Sequence, residues 1–263
     1  WSVLILADDH LKKEKNKMGN YFVKTVKPNI DVSCATAYAD KDILFDWHAF
    51  ELPKGASNLI GITTLLKGTN GADGNQHDFD LLFAKGNDSG APISLGTVNA
   101  GVTGEGWYNN IIGRVFIDTS AETDDGDLIY QNVLMSPTTL SQINLVLQGN
   151  ADETSVTPGS TKIYVAAIAK GAFDFGTAVT LNQAGNQAVT TTETTLTVDG
   201  AGDPRHSFAI GDELIAADGA LIGNVTAIAS DTSLTVDAVA TALEDDDEIC
   251  NRQPITLVMS FEQ

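Results

Sequence analysis

Cysteine, histidine and aromatic residues are scarce in this chain, and basic residues are outnumbered more than two to one: two Cys, four His, 7% aromatics, and 15 Lys and Arg against 35 Asp and Glu. Cys34 and Cys250 stand far apart in sequence, outside any CxxC or Cys/His cluster, and read as two buried free thiols rather than a disulfide. The histidines, His10, His48, His77 and His206, show no HxH, HxxH or HExxH spacing, so no histidine metal site is expected. His48 alternates with Trp47 in FDWHAF and suits a partly exposed packing role. A formal charge of -20 excludes a protein built to hold nucleic acid, because phosphate binding needs concentrated Lys and Arg. No run approaches the roughly 18 apolar residues of a membrane span, and WSVLILADD has neither the basic start nor the length of a signal peptide. A GxSxG elbow, a P-loop and a GxGxxG opening a helix are also missing, so no enzyme activity and no cofactor are expected.

What remains is material for strands. With 263 residues, 43% of them hydrophobic, the chain can bury a sizeable core, and 24 Gly with plentiful Thr, Ala and Asp favour short strands joined by tight turns. Runs of strand length recur from Asn20 onward: YFVKTV, DILFDWHAFEL, LIGITTLLKG, FDLLFAKG, IIGRVFIDT, DLIYQNVLM, INLVLQG and KIYVAAIAKG. Turn sequences such as PKGASN, GTNGADGN and ETDDGD separate them. The expected class is all-β, an antiparallel β-sandwich or jelly-roll-like domain with an inserted or appended small β-barrel.

The domain reading is residues 18–175 for the sandwich, 176–250 for the small acidic barrel, and 251–263 for a final strand returning to the sandwich. Around Gly176 the texture turns Thr-rich and poor in aromatics, whereas PITLVMSFEQ restores the bulky style of the first part. Residues 65–86 and 145–171 echo each other, both ending in Ala-Lys-Gly, and read as one hairpin geometry used twice. TLTVDG (195–200) and SLTVDA (233–238) form a second echo flanking FAIGDELIAADGALIGNVTAI, in which Asp218-Gly219 marks a hairpin turn. Residues 1–17 read as a leader ahead of a start at Met18, since Lys13-Glu14 can be encoded by AAGGAG, a ribosome-binding sequence; the alternative is a basic arm.

Acidic side chains are the commonest candidates for chemistry, yet Asp124, Asp125, Asp127 and the 244–248 cluster sit in polar, turn-like sequence rather than in apolar pockets that raise a carboxyl pKa. NGADGNQHDFD offers oxygen donors for calcium, chiefly Asp73, Asn75 and Asp78, with Asn70 and Asp80 beside them, but not at EF-hand spacing. A turn stabilised by Asx side chains explains the same residues. Trp107 and Tyr108 in GEGWYNN follow a Gly-rich loop and are candidates for stacking on a sugar ring; anchoring of a strand start is the competing account.

GDELIAADGALIGNVTAIASDTSLTVDA resembles the small β-barrel modules of virion proteins from tailed bacteriophages, on its Gly-Asp-x-Leu start, Asp218-Gly219 turn and following Ile-Gly-x-Val strand. The first domain is similar in style to capsid decoration and other auxiliary head proteins, which are β-rich, acidic and non-catalytic. The resemblance implies a non-catalytic virion structural protein on the capsid surface, bound to the major capsid protein or other virion proteins and self-associating, with Lys24 and Lys27 contacting an acidic shell surface or a neighbouring copy. A tail tube, baseplate or fibre component is one alternative, and a carbohydrate-binding or adhesin module is another.

Overall fold

Wherever apolar residues alternate with polar or small ones between Gly-, Asn- and Asp-rich breaks, the backbone is extended; helix among the described residues is confined to single turns. The computed structural model describes residues 19–30, 36–67, 78–87, 90–118, 123–124, 128–133, 135–136, 141–150, 156–172, 175, 179–182, 193–199 and 203–263, with backbone pairing alone from 123 to 142. The first strands are β1 (Tyr21–Val26), β2 (Ile43–Pro53), β3 (Ser57–Lys67), β4 (Phe79–Lys85) and β5 (Ile111–Ile117). They are followed by β6 (Thr123–Asp124), β7 (Leu128–Val133), β8 (Met135–Ser136), β9 (Ser141–Gln142), β10 (Leu145–Leu147) and β11 (Ser160–Ala169). Then come β12 (Val179–Thr180), β13 (Thr195–Thr197), β14 (Glu213–Ala216), β15 (Leu221–Ser230), β16 (Ser233–Val236), β17 (Glu248–Asn251) and β18 (Ile255–Glu262). The all-β antiparallel class is borne out.

One sheet runs β1-β18-β3-β7-β6, with β10 also on β3; a second runs β2-β11-β4-β5. Their facing sides share an aromatic-rich core that includes Phe45, Phe79, Phe83, Phe261, Leu257 and Met259. Strands β4 and β11 are buried on both faces. Phe79, Leu81 and Phe83 enter the main core, whereas Leu82 joins Ile43, Leu95, Ala166 and Ile168 in a smaller cluster on the outer side. That cluster is covered by Val98, Val102, Trp107 and Ile111. Burial on two sides explains why LLFA within FDLLFAK is a continuous apolar run rather than an alternating one, with Asp80 its one buried charge.

The echo between 65–86 and 145–171 is not a repeated hairpin. Strand β3 lies in the first sheet and β4 in the second, and β10 and β11 divide in the same way, so both units are crossovers between sheets. Their strands then pair with one another, β10 on β3 and β11 on β4. A Gly-, Asn- and Asp-rich loop signals a change of direction but not whether the chain returns to its own sheet.

The third sheet, β12-β17-β14-β15-β16-β13, closes on itself through the bridge Leu181↔Val198. The two LTVD echoes are antiparallel neighbours in it, with Leu196 opposite Leu234. Asp218-Gly219 makes the hairpin between β14 and β15, where Asp218 accepts the Ala220 N–H at 2.9 Å. Gly223 permits a close approach, because a Cβ there would sit 2.1 Å from the Ala238 carbonyl oxygen. The barrel core is aliphatic, and Phe208 is its one aromatic member among the described residues. Strand β18 then pairs with β1 and β3 in the first sheet.

Candidate functional site

The chain after Lys170 contains no lysine and two arginines, so a buried carboxylate there has to find its cations elsewhere. Asp212, fully buried at the start of β14, does so. One carboxylate oxygen accepts from Lys67 Nζ at 2.7 Å, Ala209 N–H at 2.9 Å and Asn251 Nδ2 at 2.9 Å; the other accepts from Lys27 Nζ at 3.3 Å. Lys27 follows β1 and Lys67 ends β3, so two strands of the first sheet converge on one barrel residue. Burial alone raises the Asp212 pKa, but the Lys67 hydrogen bond and charge, with Ala209 N–H and Lys27, outweigh it and hold the carboxyl below its ordinary value. Asn251 is equally occupied, donating to the Ser207 carbonyl at 3.0 Å and accepting from Gln253 N–H at 2.8 Å.

The same junction is fastened by backbone and side chain. Ile30 N–H donates to the Arg252 carbonyl at 2.7 Å, and Gln253 Nε2 donates to Asn29 Oδ1 at 2.7 Å. Ile215 and Cys250 from the barrel strands pack in the sandwich core. Cys250 is disulfide-bonded, which corrects the reading of two free thiols; the chain's other cysteine, Cys34, lies outside the described residues. Separation along the sequence says nothing of separation in space, and the contacts above bring the chain near residue 30 beside residue 252.

On the outer side of the second sheet, Trp107–Asn110 forms one 3-10 turn leading into β5. Gly106 before it adopts φ 76°, the left-handed conformation that glycine takes without a Cβ clash. Trp107 is half-buried against the outer apolar cluster, and Tyr108 is 63% exposed, its ring centroid 5.9 Å from that of Trp107 at 78°. Trp47 packs on the same cluster and donates Nε1–H to the Ile93 carbonyl at 2.8 Å. Asp46 fixes the adjoining loop by accepting from Leu95 N–H at 3.0 Å and from the Ser94 hydroxyl. His48 is half-buried on β2, and burial lowers its pKa.

Of the sequence candidates, Lys24 lies on the inner side of β1, where its charge adds to those holding the Glu51 carboxyl low, after the Thr157 hydrogen bonds and Lys162. Lys27 is part of the Asp212 cluster. Asp73 and Asn75 lie outside the described residues, whereas Asp78 is half-buried just before β4. Asp80 is nearly buried between two cations, 2.8 Å from Lys170 and 2.5 Å from Arg114, the second contact being an ion pair without hydrogen-bond alignment. Among the described residues, no group of three or more His, Cys, Asp or Glu is placed to hold a metal ion. The one signal of the Asp212 cluster in the sequence is an acid at a Gly-Asp strand start in a segment without lysine.

No protein-family model matches the chain. No curated protein matches it either. Among solved structures it is aligned with a crystal structure of the infectious bursal disease virus VP2 subviral particle, over 94% of this chain and 42% of that one, at 9% identity and a TM-score of 0.21. A likeness that slight carries no argument about fold or function.

Proposed function

We propose that the chain is a non-catalytic virion component, a decoration or cement protein that sits on the capsid and bridges copies of the major capsid protein. The observation that carries this reading is the outward side of edge strand β1. Its Tyr21 and Val23 are 66% and 58% exposed, and β18 is its one strand neighbour among the described residues. Exposed apolar side chains on a sheet edge, in a chain of charge -20, suit a surface that a partner covers. Lys24 and Lys27 lie on the same segment but are drawn inward toward Glu51 and Asp212, so their part in the contact is residual charge beside an apolar one. The barrel, braced on the sandwich through Asp212, projects acidic surface away from the shell. Many copies with modest individual contacts add through multivalency.

The test is co-sedimentation of the purified protein with shells of the major capsid protein encoded in the same genome. Stoichiometric binding is expected, with loss in the double variant Tyr21→Asp, Val23→Asp. Binding unaffected by that variant removes β1 from the interface, and location in the tail of imaged particles transfers the protein to a tail role.

A further inference from the structure

We infer that the turn Trp107–Asn110, with Ile93 beside it, is a binding platform for a neutral pyranoside, a sugar ring without an acidic group. Among the described residues, Tyr108 is the most exposed aromatic side chain after Tyr21, 63% accessible. The Trp107 ring supports it at 5.9 Å and is itself anchored on the outer apolar cluster, so the platform stands on a rigid base. Ile93, 49% exposed, adjoins it: the position a Cβ on Gly106 would take lies 3.6 Å from Ile93 Cδ1 and 3.2 Å from Asn109 Nδ2. The backbone is fixed by Asn109 N–H to the Gly106 carbonyl at 3.1 Å and by Ile111 N–H to the Tyr108 carbonyl. The Ile93 loop is fixed from Trp47 and Asp46.

The polar groups at this place select the ligand class. Asn109 is exposed, and the carboxamides of Asn109 and Asn110 have no hydrogen-bond partner among the described residues, which leaves donors and acceptors together beside an aromatic surface. A pyranose offers a C–H face for the ring and hydroxyls for the carboxamides, each of which donates and accepts. Exposed Glu105 and the overall charge of -20 oppose phosphates and uronates. The inference is independent of the capsid reading, which rests on β1.

The probes are maltohexaose, cellohexaose, xylohexaose and chitohexaose, with oligogalacturonate as the acidic control. Binding to the full chain is followed by tryptophan fluorescence and saturation-transfer NMR. At least one neutral oligomer is expected to saturate its signal below about 10 mM, with magnetisation transfer from aromatic protons. Tyr108→Ala should weaken it about tenfold or more, Tyr108→Phe should retain it because the ring remains, and Asn109→Ala should weaken it less. Because Tyr108 and Asn109 are exposed, each variant should keep the parent melting temperature, which separates lost binding from lost folding. Saturation by none of the neutral oligomers overturns the inference. So does equal binding of the acidic control, or binding unchanged in Tyr108→Ala.

Discussion

The sandwich and the barrel solve one problem, burying apolar surface with strands, by different means. Strands of 7 to 11 residues make the second sheet of the sandwich, whose inner face packs Phe45, Phe79 and Phe83. In the barrel, five of the six strands have 2 to 4 residues, and Val, Leu and Ile fill a core that includes a single phenylalanine among the described residues. Short strands enclose a narrow space that small side chains fill, and closure removes the exposed edges that the sandwich keeps at β1. Charge divides the two modules as well. Between 179 and 251 the barrel has Arg205 as its one cation, held by Asp203, so its buried Asp212 depends on lysines of the sandwich. What differs between the modules is therefore also what joins them.

Removing residues 177–250 tests the comparison most severely. The first module is expected to keep a cooperative melting transition in circular dichroism, at a lower temperature because Ile215 and Cys250 leave its core; loss of all cooperative structure would show that the sandwich is not a separate folding unit. Lys67→Met should cost about 3 kcal/mol in denaturant unfolding, since it leaves a carboxylate with 1% side-chain exposure short of its nearest cation. Gly223→Ala is expected to cost about 2 kcal/mol, confined to the barrel, because the new methyl group meets the Ala238 carbonyl. Hydrogen exchange would place that loss in β15 and β16 rather than β4 and β11.

The acid response is a finer probe. A carboxyl with a lowered folded-state pKa contributes stability that is complete above its unfolded value, about 3.9, and is lost as pH falls through the folded value. The Asp212 contribution should therefore be constant from about pH 5 to 8 and decline only below about pH 4, and Asp212→Asn should abolish that part of the melting-temperature profile. Lys27→Met is the smallest change, under about 1 kcal/mol, because Lys27 is 42% exposed and 3.3 Å from the carboxylate. Lys27 proving costlier than Lys67 would reverse the ranking of the two cations.

Several elements were legible in one dimension. Asp218-Gly219 between two apolar runs is a local turn, and the structure has it as one. YFVKTV and PITLVMSFEQ contain β1 and β18, because alternation and β-branched content are properties of neighbouring residues. The double crossover behind the Ala-Lys-Gly echo was not legible. Choosing between sheets depends on which face of β4 meets the core, and FDLLFAK carries large apolar residues on both.

Composition and local pattern by themselves determined the all-β class and the hairpin at Asp218-Gly219, since strand propensity and turn conformation act over a few residues. Tertiary structure alone decided that Asp212 is a buried joint, that Cys250 is disulfide-bonded, and that Trp107 is anchored while Tyr108 is exposed. Each depends on groups distant in the chain meeting in space, as Lys27 and Asp212 do across 185 residues. A carboxylate's role is set by what surrounds it, and those surroundings exist only once the chain has folded.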